Sequence, residues 1–340
     1  MSRGINQTGV RPLNRRVQPQ PYSNVRPWLP VFSWDMDKTY NSQLTDQDVI
    51  EWIRQFGTVT VNITSTTAAR VTQLLQLVAE HTGGPWGPAR LLIIGAPYHR
   101  APWNSSLDPS DADTGFESRD YDLGQVRDVL KKAVAHGLLP HNIHIHYDCE
   151  VFYDGSGYTA QQLTDRAAKY LEMYRGTKAM TPLSPVSWYA AGWRRFTGNG
   201  SNNANLITPA STYPIMDIPA VSTDDLNYVW YRPKYPEAEA KCFDATLANG
   251  SLGQKVVITA WIGSWYEYSN ASGSAVSGNW TTGYDASWGG SLGRFCKTRQ
   301  NDIRSVVLYP GIHQGESLSG VRHAPELPAR LAFHRALTVN

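Results

Sequence analysis

The sequence is poor in cysteine and contains no long apolar run. Its 340 residues include only Cys149, Cys242 and Cys296, an odd and scattered set that offers neither a disulfide framework nor the paired spacing of a zinc site. No stretch of about 18 apolar residues occurs, which argues against a membrane span. The first residues lack the apolar segment of a secretory signal. We therefore expect a soluble protein with reduced thiols and no signal peptide, at a location that the sequence leaves unknown.

Common nucleotide-binding and metal-binding signatures are also missing. No Walker loop occurs, and the run that follows the first apolar segment, Phe32-Ser-Trp-Asp-Met-Asp37, contains no glycine to cradle a phosphate. No Cys-X-X-Cys pair occurs either. These absences disfavour NTPases, dinucleotide-dependent enzymes and zinc ribbons. We expect neither a cofactor nor a bound metal.

Composition separates the first 27 residues from the rest of the chain. This segment is rich in proline and glutamine, has no hydrophobic periodicity and carries five arginines without an acidic residue. We predict that residues 1–27 form an extended basic arm, which orders against a partner such as a neighbouring subunit. The net charge of the whole chain is only +2, so we expect no nucleic-acid partner.

From residue 28 onward, short apolar runs alternate with segments of helical periodicity. We predict strands at 29–34, 58–63, 90–96, 142–150, 186–191, 218–222, 255–261 and 305–309. Helical patterns cover 46–56, 66–81, 123–136, 160–174, 236–247 and 292–300. Eight such repeats predict an α/β fold of the (β/α)8 TIM-barrel type over residues 28–320, with a C-terminal helical tail at 321–340 packed on it. A doubly wound open sheet is the alternative.

The predicted fourth strand carries the main chemical signal, in the run Asn142-Ile-His-Ile-His-Tyr-Asp-Cys-Glu150. Side chains alternate along a strand, so the two histidines, Asp148 and Glu150 share one face and the mostly apolar residues share the other. The apolar face must meet the helices. The polar face then points into the barrel, with Asp148 and Glu150 at the mouth where catalytic residues of such barrels lie.

Two neighbouring carboxylates suit general acid catalysis. Mutual repulsion and burial raise the pKa of one member of such a pair, which can then donate a proton near neutral pH. We assign Glu150 as the acid because it lies furthest out, and Asp148 as the residue that tunes it. Cleavage of glycosidic bonds is the reaction class that most often uses such a pair. Glu267, beyond the seventh strand, is a candidate second carboxylate.

This Asp148-X-Glu150 pattern on strand four resembles the glycoside hydrolase family 18 chitinases and family 25 lysozymes. Ile143 and His146 stand where family 18 has two earlier aspartates. The family 25 resemblance adds Asp35 after strand one and the pair Tyr98-His99 after strand three. It implies a barrel that hydrolyses a polysaccharide or peptidoglycan, with Asp35 as a further candidate carboxylate.

Aromatic residues with a polar edge are plentiful, with 12 Trp and 18 Tyr against eight Phe. Such side chains are common where a surface stacks on sugars. We expect His146 and His99 to contact substrate, together with the aromatic residues near predicted strand ends: Trp34, Tyr98, Trp188, Trp193, Trp261 and Tyr309.

Two other interpretations remain open at this stage. His141, His144 and His146 with Asp148, completed by His99 or His313, form the pattern of an amidohydrolase-type metal site, although ligands from one strand lie in a line. The other is a non-catalytic barrel, a glycan-binding or structural subunit of a larger viral or envelope assembly, which the basic arm suggests. Asp224 and Asp225, after the predicted sixth strand, are expected to be turn or helix caps.

Overall fold

A computed structural model describes residues 26–34, 36, 45–63, 66–82, 88–95, 117–147, 171–188, 223–230, 236–248, 250–251, 253–260, 286–308 and 327–339. Eight parallel strands form one sheet in the order β1-β8-β7-β6-β5-β4-β3-β2. They are β1 Val31–Ser33, β2 Thr58–Asn62, β3 Arg90–Gly95, β4 Ile143–Tyr147, β5 Val186–Trp188, β6 Asp225–Trp230, β7 Lys255–Ala260 and β8 Ile303–Leu308. This sheet confirms the predicted (β/α)8 barrel.

The described helices flank this sheet. They are α1 Asp46–Phe56, α2 Ala68–His81, α3 Glu117–Ala135, α4 171–180, α5 Pro236–Ala248, α6 Ala286–Thr298 and α7 Leu327–Thr338. Local signals define α1 clearly: Thr45 and Asp48 form a capping box at its start, and Gly57 ends it with a φ of 69°. None of the described helices is long and apolar enough to cross a membrane.

The seam between β1 and β2 is closed by side chains. These strands are the two ends of the hydrogen-bonded order, and the Thr58 hydroxyl links them by donating to the Val31 carbonyl at 2.6 Å. The same hydroxyl accepts the Trp52 indole N–H at 2.8 Å. The backbone N–H of Thr60 adds a contact of 3.1 Å to the Met36 sulfur. The sheet is thereby held as a nearly closed barrel.

Alternate residues of each strand divide the core into two layers. The large outer layer lies between strands and helices and includes Ile143, Ile145 and Tyr147 of β4. A small inner layer fills the barrel, and half-buried Trp34 packs against it. The inner members are Phe32, Leu92, Ile94, Val257 and Val307. Since few apolar side chains of the described strand residues point inward, polar residues occupy much of the described barrel interior.

Helix α7 packs tightly on α6. An alanine Cβ at Gly289 would lie 1.9 Å from the Ala329 carbonyl oxygen, and one at Gly293 would lie 2.7 Å from the Phe333 carbonyl oxygen. On its other side α7 reaches α1, where the His334 and Phe56 rings lie 5.3 Å apart. The tail helix therefore fills the gap between α6 and α1. The domain boundaries at residues 27 and 320 stay predictions.

Strand six was misplaced by the sequence pattern. The predicted segment 218–222 lies outside the described residues, and the sixth strand of the barrel is Asp225–Trp230. Asp225 and Asn227 point inward and are fully buried, whereas Leu226, Tyr228 and Trp230 join the outer layer. Asp225 thus begins a strand, and the expectation that it caps a turn was wrong. Helix α4 also continues to residue 180, beyond the predicted end at 174.

Arg26, the first described residue, lies at the N-terminal face, by which we mean the side of the barrel where strands begin. Its guanidinium donates to the Arg54 carbonyl at 3.3 Å and to the His81 carbonyl at 2.8 Å, in the last turns of α1 and α2. Arg26 therefore lies on the face opposite the mouth, which is where strands end.

Candidate active site

Strand β4 has the orientation that the sequence predicts. Its outward residues, Ile143, Ile145 and Tyr147, belong to the outer core layer. Its inward residues are buried in the barrel, where His144 lies 5.2 Å from Phe32 and His146 lies 5.9 Å from Trp34, between ring centroids. The inward histidine face predicted for this strand is therefore confirmed.

The outer face of β4 is anchored by a hydrogen-bonded tyrosine. The Tyr147 hydroxyl and the Thr177 hydroxyl of α4 lie 2.6 Å apart, and Thr177 donates in turn to the Met173 carbonyl at 2.8 Å. The Tyr147 ring also packs over Gly95, where an added Cβ would lie 2.8 Å from the ring. This anchor fixes the rotation of β4 at the point where the strand reaches the mouth.

Inside the barrel, His146 pairs with a residue that the sequence analysis did not single out. The His146 Nδ1 and the Ser187 hydroxyl lie 2.8 Å apart, and both residues are buried. The T-shaped contact between Trp34 and His146, with an interplanar angle of 84°, places an aromatic edge against the same imidazole. Trp34, His146 and Ser187 are therefore the described residues that lie inside the barrel nearest to its mouth. The alternation of Val186, Ser187 and Trp188 could have identified Ser187.

A charged layer lies deeper, at the N-terminal end of the barrel. The carboxylate of Asp225 accepts the Arg304 guanidinium at 2.8 Å. Burial raises the pKa of Asp225, although the Arg304 charge opposes this. Burial, together with the charges of Arg304 and Arg90, lowers the pKa of His144 to about 3. His144 is therefore neutral near pH 7 and suits packing in this layer better than proton transfer.

The low pKa of His144 predicts a loss of stability in mild acid. An unfolded histidine has a pKa near 6.5, so the unfolded chain binds the proton better between pH 6.5 and 3. Titration of this histidine leaves the free energy of unfolding almost unchanged above pH 6.5. Below pH 6.5 it lowers the free energy of unfolding by up to about 1.4 kcal/mol per pH unit. We expect the stability advantage of the wild type over His144→Gln to shrink by about 2 kcal/mol between about pH 7 and about pH 5 in urea unfolding. An advantage that does not change with pH would contradict this assignment.

Two of the predicted substrate-contacting residues, Trp34 and His146, are therefore brought together. Trp188 is the last residue of β5, and the structure describes its backbone but not its side chain. The other predicted site residues lie outside the described residues, and their roles stay predictions. They are Glu150, Asp148, Glu267, Asp35, Tyr98, His99, Trp193, Trp261 and Tyr309.

The metal-site alternative receives no support from the described histidines. His141 lies in the short 3-10 turn before β4, exposed on the N-terminal face, and so does not align with the inward pair. The positive charges of Arg304 and Arg90 act on His144 and disfavour a cation beside it. Within the described parts of the chain, no group of three potential ligands could hold a metal ion.

One run with serine-hydrolase spacing is explained by packing. Gly289-Gly-Ser-Leu-Gly293 matches the Gly-X-Ser-X-Gly pattern, which in such enzymes marks a strand-to-helix turn. Here it lies within α6 and follows no strand directly. Its first and last glycines face the backbone of α7. The pattern therefore serves the contact between helices.

Comparison with known proteins identifies the fold. No protein-family model matches the chain, and no curated protein matches it. Among solved structures, the endo-1,4-beta-mannanase from Rhizomucor miehei matches with a TM-score of 0.54 and 11% identity, over 91% of this chain and 94% of that one. A GH113 beta-1,4-mannanase matches with a TM-score of 0.53 and 10% identity, over 93% of this chain and 100% of that one.

A third similar structure is the spore cortex-lytic enzyme SleL of Bacillus cereus. It matches with a TM-score of 0.50 and 9% identity, over 90% of this chain and 74% of that one. All three neighbours are glycoside hydrolases built on a (β/α)8 barrel. Identities this low establish the fold alone. The protein is therefore a (β/α)8 barrel of the kind found among glycoside hydrolases.

Proposed function

We propose that this protein is a glycoside hydrolase that cleaves a polysaccharide or peptidoglycan by general acid catalysis. Glu150 donates the proton to the leaving oxygen, and Asp148 supports it. The orientation of β4 is the observation that carries this proposal. His144 and His146 point inward, and the sequence alternation predicts the same face for Asp148 and Glu150 at the mouth.

The described residues inside the barrel near its mouth suit the roles proposed for Asp148 and Glu150. His146 is the last described inward residue of β4, and its imidazole is held by Ser187. In the proposed arrangement, a positively charged or hydrogen-bond-donating imidazole favours the charged form of Asp148, and a charged Asp148 favours the protonated form of Glu150. Glu150 then holds a proton that it can give to a departing sugar oxygen. Trp34 supplies an aromatic surface on the same side of the barrel.

The second reacting group has three candidates. A carboxylate nucleophile would have to lie about 5 Å from Glu150 and a general base further away, and Glu267 and Asp35 are the candidates for either role. The third is an N-acetyl group of the substrate, which Asp148 would orient. That last possibility belongs to the family 18 resemblance, which remains a hypothesis, as does the resemblance to family 25.

The structural neighbours suggest the first substrates to test. Two are mannanases, and one is a spore cortex-lytic enzyme. Mannans and peptidoglycan therefore lead the panel for this chain, followed by chitin oligosaccharides and xyloglucan. The groove is expected to be lined by the aromatic residues near the strand ends, with His146 and His99 beside them.

Release of reducing ends from this panel tests the proposal. We expect the wild type to cleave at least one substrate and Glu150→Gln to lose about 10³-fold or more in turnover. Glu237→Gln is the matched control, because it makes the same change on the exposed side of α5 and should leave turnover unchanged. Release that persists in Glu150→Gln would exclude this residue as the acid.

A second candidate function, a non-catalytic barrel subunit of a larger assembly, has support from the N-terminal face. Arg26, near the end of the predicted basic arm, is bonded there to the ends of α1 and α2, on the face opposite the mouth. If no substrate of the panel is cleaved, this function becomes the better proposal. Association with a virion or a cell envelope is a hypothesis within it.

A further inference from the structure

The inward positions at the start of the strands carry more positive than negative charge. Arg90 begins β3 and Lys255 begins β7, and both lie on the inward side because the residue after each belongs to the outer core layer. Arg304 of β8 reaches the same end of the barrel, where its guanidinium binds Asp225 at 2.8 Å. Among the inward residues of the described strands, Asp225 is the only carboxylate at this end.

The nearby carboxylates already have partners. In Asp225, one oxygen accepts the Arg304 guanidinium, and the other accepts the backbone N–H of Lys255 at 3.3 Å. Asp224, the preceding residue, accepts the Lys178 ammonium at 2.8 Å and the backbone N–H of Val186 at 2.9 Å. These pairings leave neither carboxylate to balance Arg90.

Arg90 is a cation without a counter-charge. Its side chain is half-buried, and no hydrogen bond or ion pair joins its guanidinium to a residue that the structure describes. Burial lowers the pKa of Arg90, and no described carboxylate opposes that effect. A guanidinium offers five N–H donors, and a partly desolvated charge without an acceptor is unfavourable. The position therefore suits an anion.

Arg26 adds positive charge beside Arg90. The Arg90 backbone N–H donates to the Gly57 carbonyl at 3.1 Å, and a Cβ added at Gly57 would lie 3.0 Å from the Arg26 guanidinium, so both arginines flank one glycine. Burial and the charge of Arg90 lower the pKa of Arg26. The last carbonyls of α1 and α2 are the negative groups here, and they bind Arg26, not Arg90.

His144 reports the sign of the field at this end of the barrel. Arg90 and Arg304 belong to non-adjacent strands, yet the charges of both, after burial, help to lower the pKa of this one imidazole to about 3. Both arginines therefore approach the barrel axis. The neutral imidazole brings no charge of its own, so the positive excess is left unbalanced, and it favours an anion for the reason that it disfavours a cation.

We propose that the N-terminal opening of the barrel binds a tetrahedral oxyanion of the phosphate type, with Arg90 as its main ligand and the charges of Arg26 and Arg304 beside it. The planar fork of an arginine matches two phosphate oxygens. All three arginines are half-buried, which favours a small anion over an extended acidic chain. This inference does not depend on the glycosidase proposal, because it concerns the opposite end of the barrel.

Thermal unfolding of the full-length protein in low salt tests this site, with inorganic phosphate as the probe and chloride at equal ionic strength as the comparison. We expect a Kd of about 1 mM and a midpoint about 3 °C higher at about 50 mM phosphate. Arg90→Gln should raise the Kd at least about tenfold, and Arg90→Lys, which keeps the charge without the fork, about threefold.

Arg54→Gln is the matched control, because it removes an exposed arginine at the end of α1, on the same face. It should leave the Kd within about twofold. Without phosphate, Arg90→Gln should be about as stable as the wild type, since it removes a half-buried charge that has no partner. A midpoint lower by about 3 °C or more would show that Arg90 serves the fold instead.

The imidazole NMR signals of His144, assigned by their loss in His144→Gln, should shift with the same Kd. Equal stabilisation by chloride, or equal weakening by Arg54→Gln, would reduce the effect to screening of surface charge and overturn the proposal. So would phosphate binding that Arg90→Gln leaves intact, or His144 signals that do not move. Glucose 6-phosphate is the second probe: tighter binding of this ester than of inorganic phosphate would identify the ligand as a phosphorylated small molecule, and weaker binding would identify it as the free anion.

Discussion

Replacing Gly289 with alanine is expected to destabilise the protein by about 3 kcal/mol or more. The added methyl group would lie 1.9 Å from the backbone carbonyl oxygen of Ala329, and a backbone atom cannot move away as a flexible side chain can. Helix α7 would have to shift away from α6. That shift would also disturb its contacts with α1, where Arg330 lies over the Trp52 ring at 5.8 Å. Thermal unfolding should show a midpoint lower by roughly 5 °C or more.

Gly290 provides the matched control for this prediction. An alanine Cβ there would lie 3.3 Å from the end of the Arg294 side chain, which can move, and 3.9 Å from the Ala332 Cβ. Alanine also favours a helix over glycine by about 0.5–1 kcal/mol. Gly290→Ala should therefore leave stability unchanged or raise it slightly. If Gly289→Ala and Gly290→Ala had the same effect, the close approach of α6 and α7 would be refuted.

Repeating patterns made most of the barrel predictable from the sequence. Helix α1 begins and ends where its pattern predicts, at Asp46 and Phe56, because capping residues coincide with the apolar periodicity. Strand β6 was missed because its inward positions, Asp225 and Asn227, are polar. Their partners come from other strands: Asp225 pairs with Arg304 of β8, and the Asn227 amide N–H donates to the Val257 carbonyl of β7 at 3.0 Å. A single strand's composition does not reveal partners that the sheet supplies.

The candidate site could be predicted from the sequence to about the same extent as the fold. Alternation along β4 correctly placed His144 and His146 inside the barrel, since the apolar residues between them had to meet the helices. The sequence did not distinguish their environments. His144 lies close to two arginines, whereas His146 meets Ser187, and these differences arise from other strands. Ser187 was overlooked because it is the one inward polar residue of a three-residue strand, where alternation is a weak signal.

The second prediction with a large expected effect concerns how the rate of Glu150→Gln depends on the leaving group of the substrate. A natural glycosidic oxygen needs a proton as it departs, whereas fluoride departs as a stable anion without one. If Glu150 is the general acid, Glu150→Gln should cleave the natural linkage about 10³-fold or more slowly but retain much more of its rate on a glycosyl fluoride. The fluoride must carry the sugar and the anomeric configuration that the substrate panel identifies.

The measurement that tests the central claim most directly is this pair of rates, determined side by side for the wild type, Glu150→Gln and Glu237→Gln. The account predicts that the loss caused by Glu150→Gln on the natural linkage exceeds the loss on the fluoride by about 100-fold or more, while Glu237→Gln matches the wild type on both. Equal losses on the two substrates would show that Glu150 does not protonate the leaving oxygen. That result would contradict the proposed mechanism.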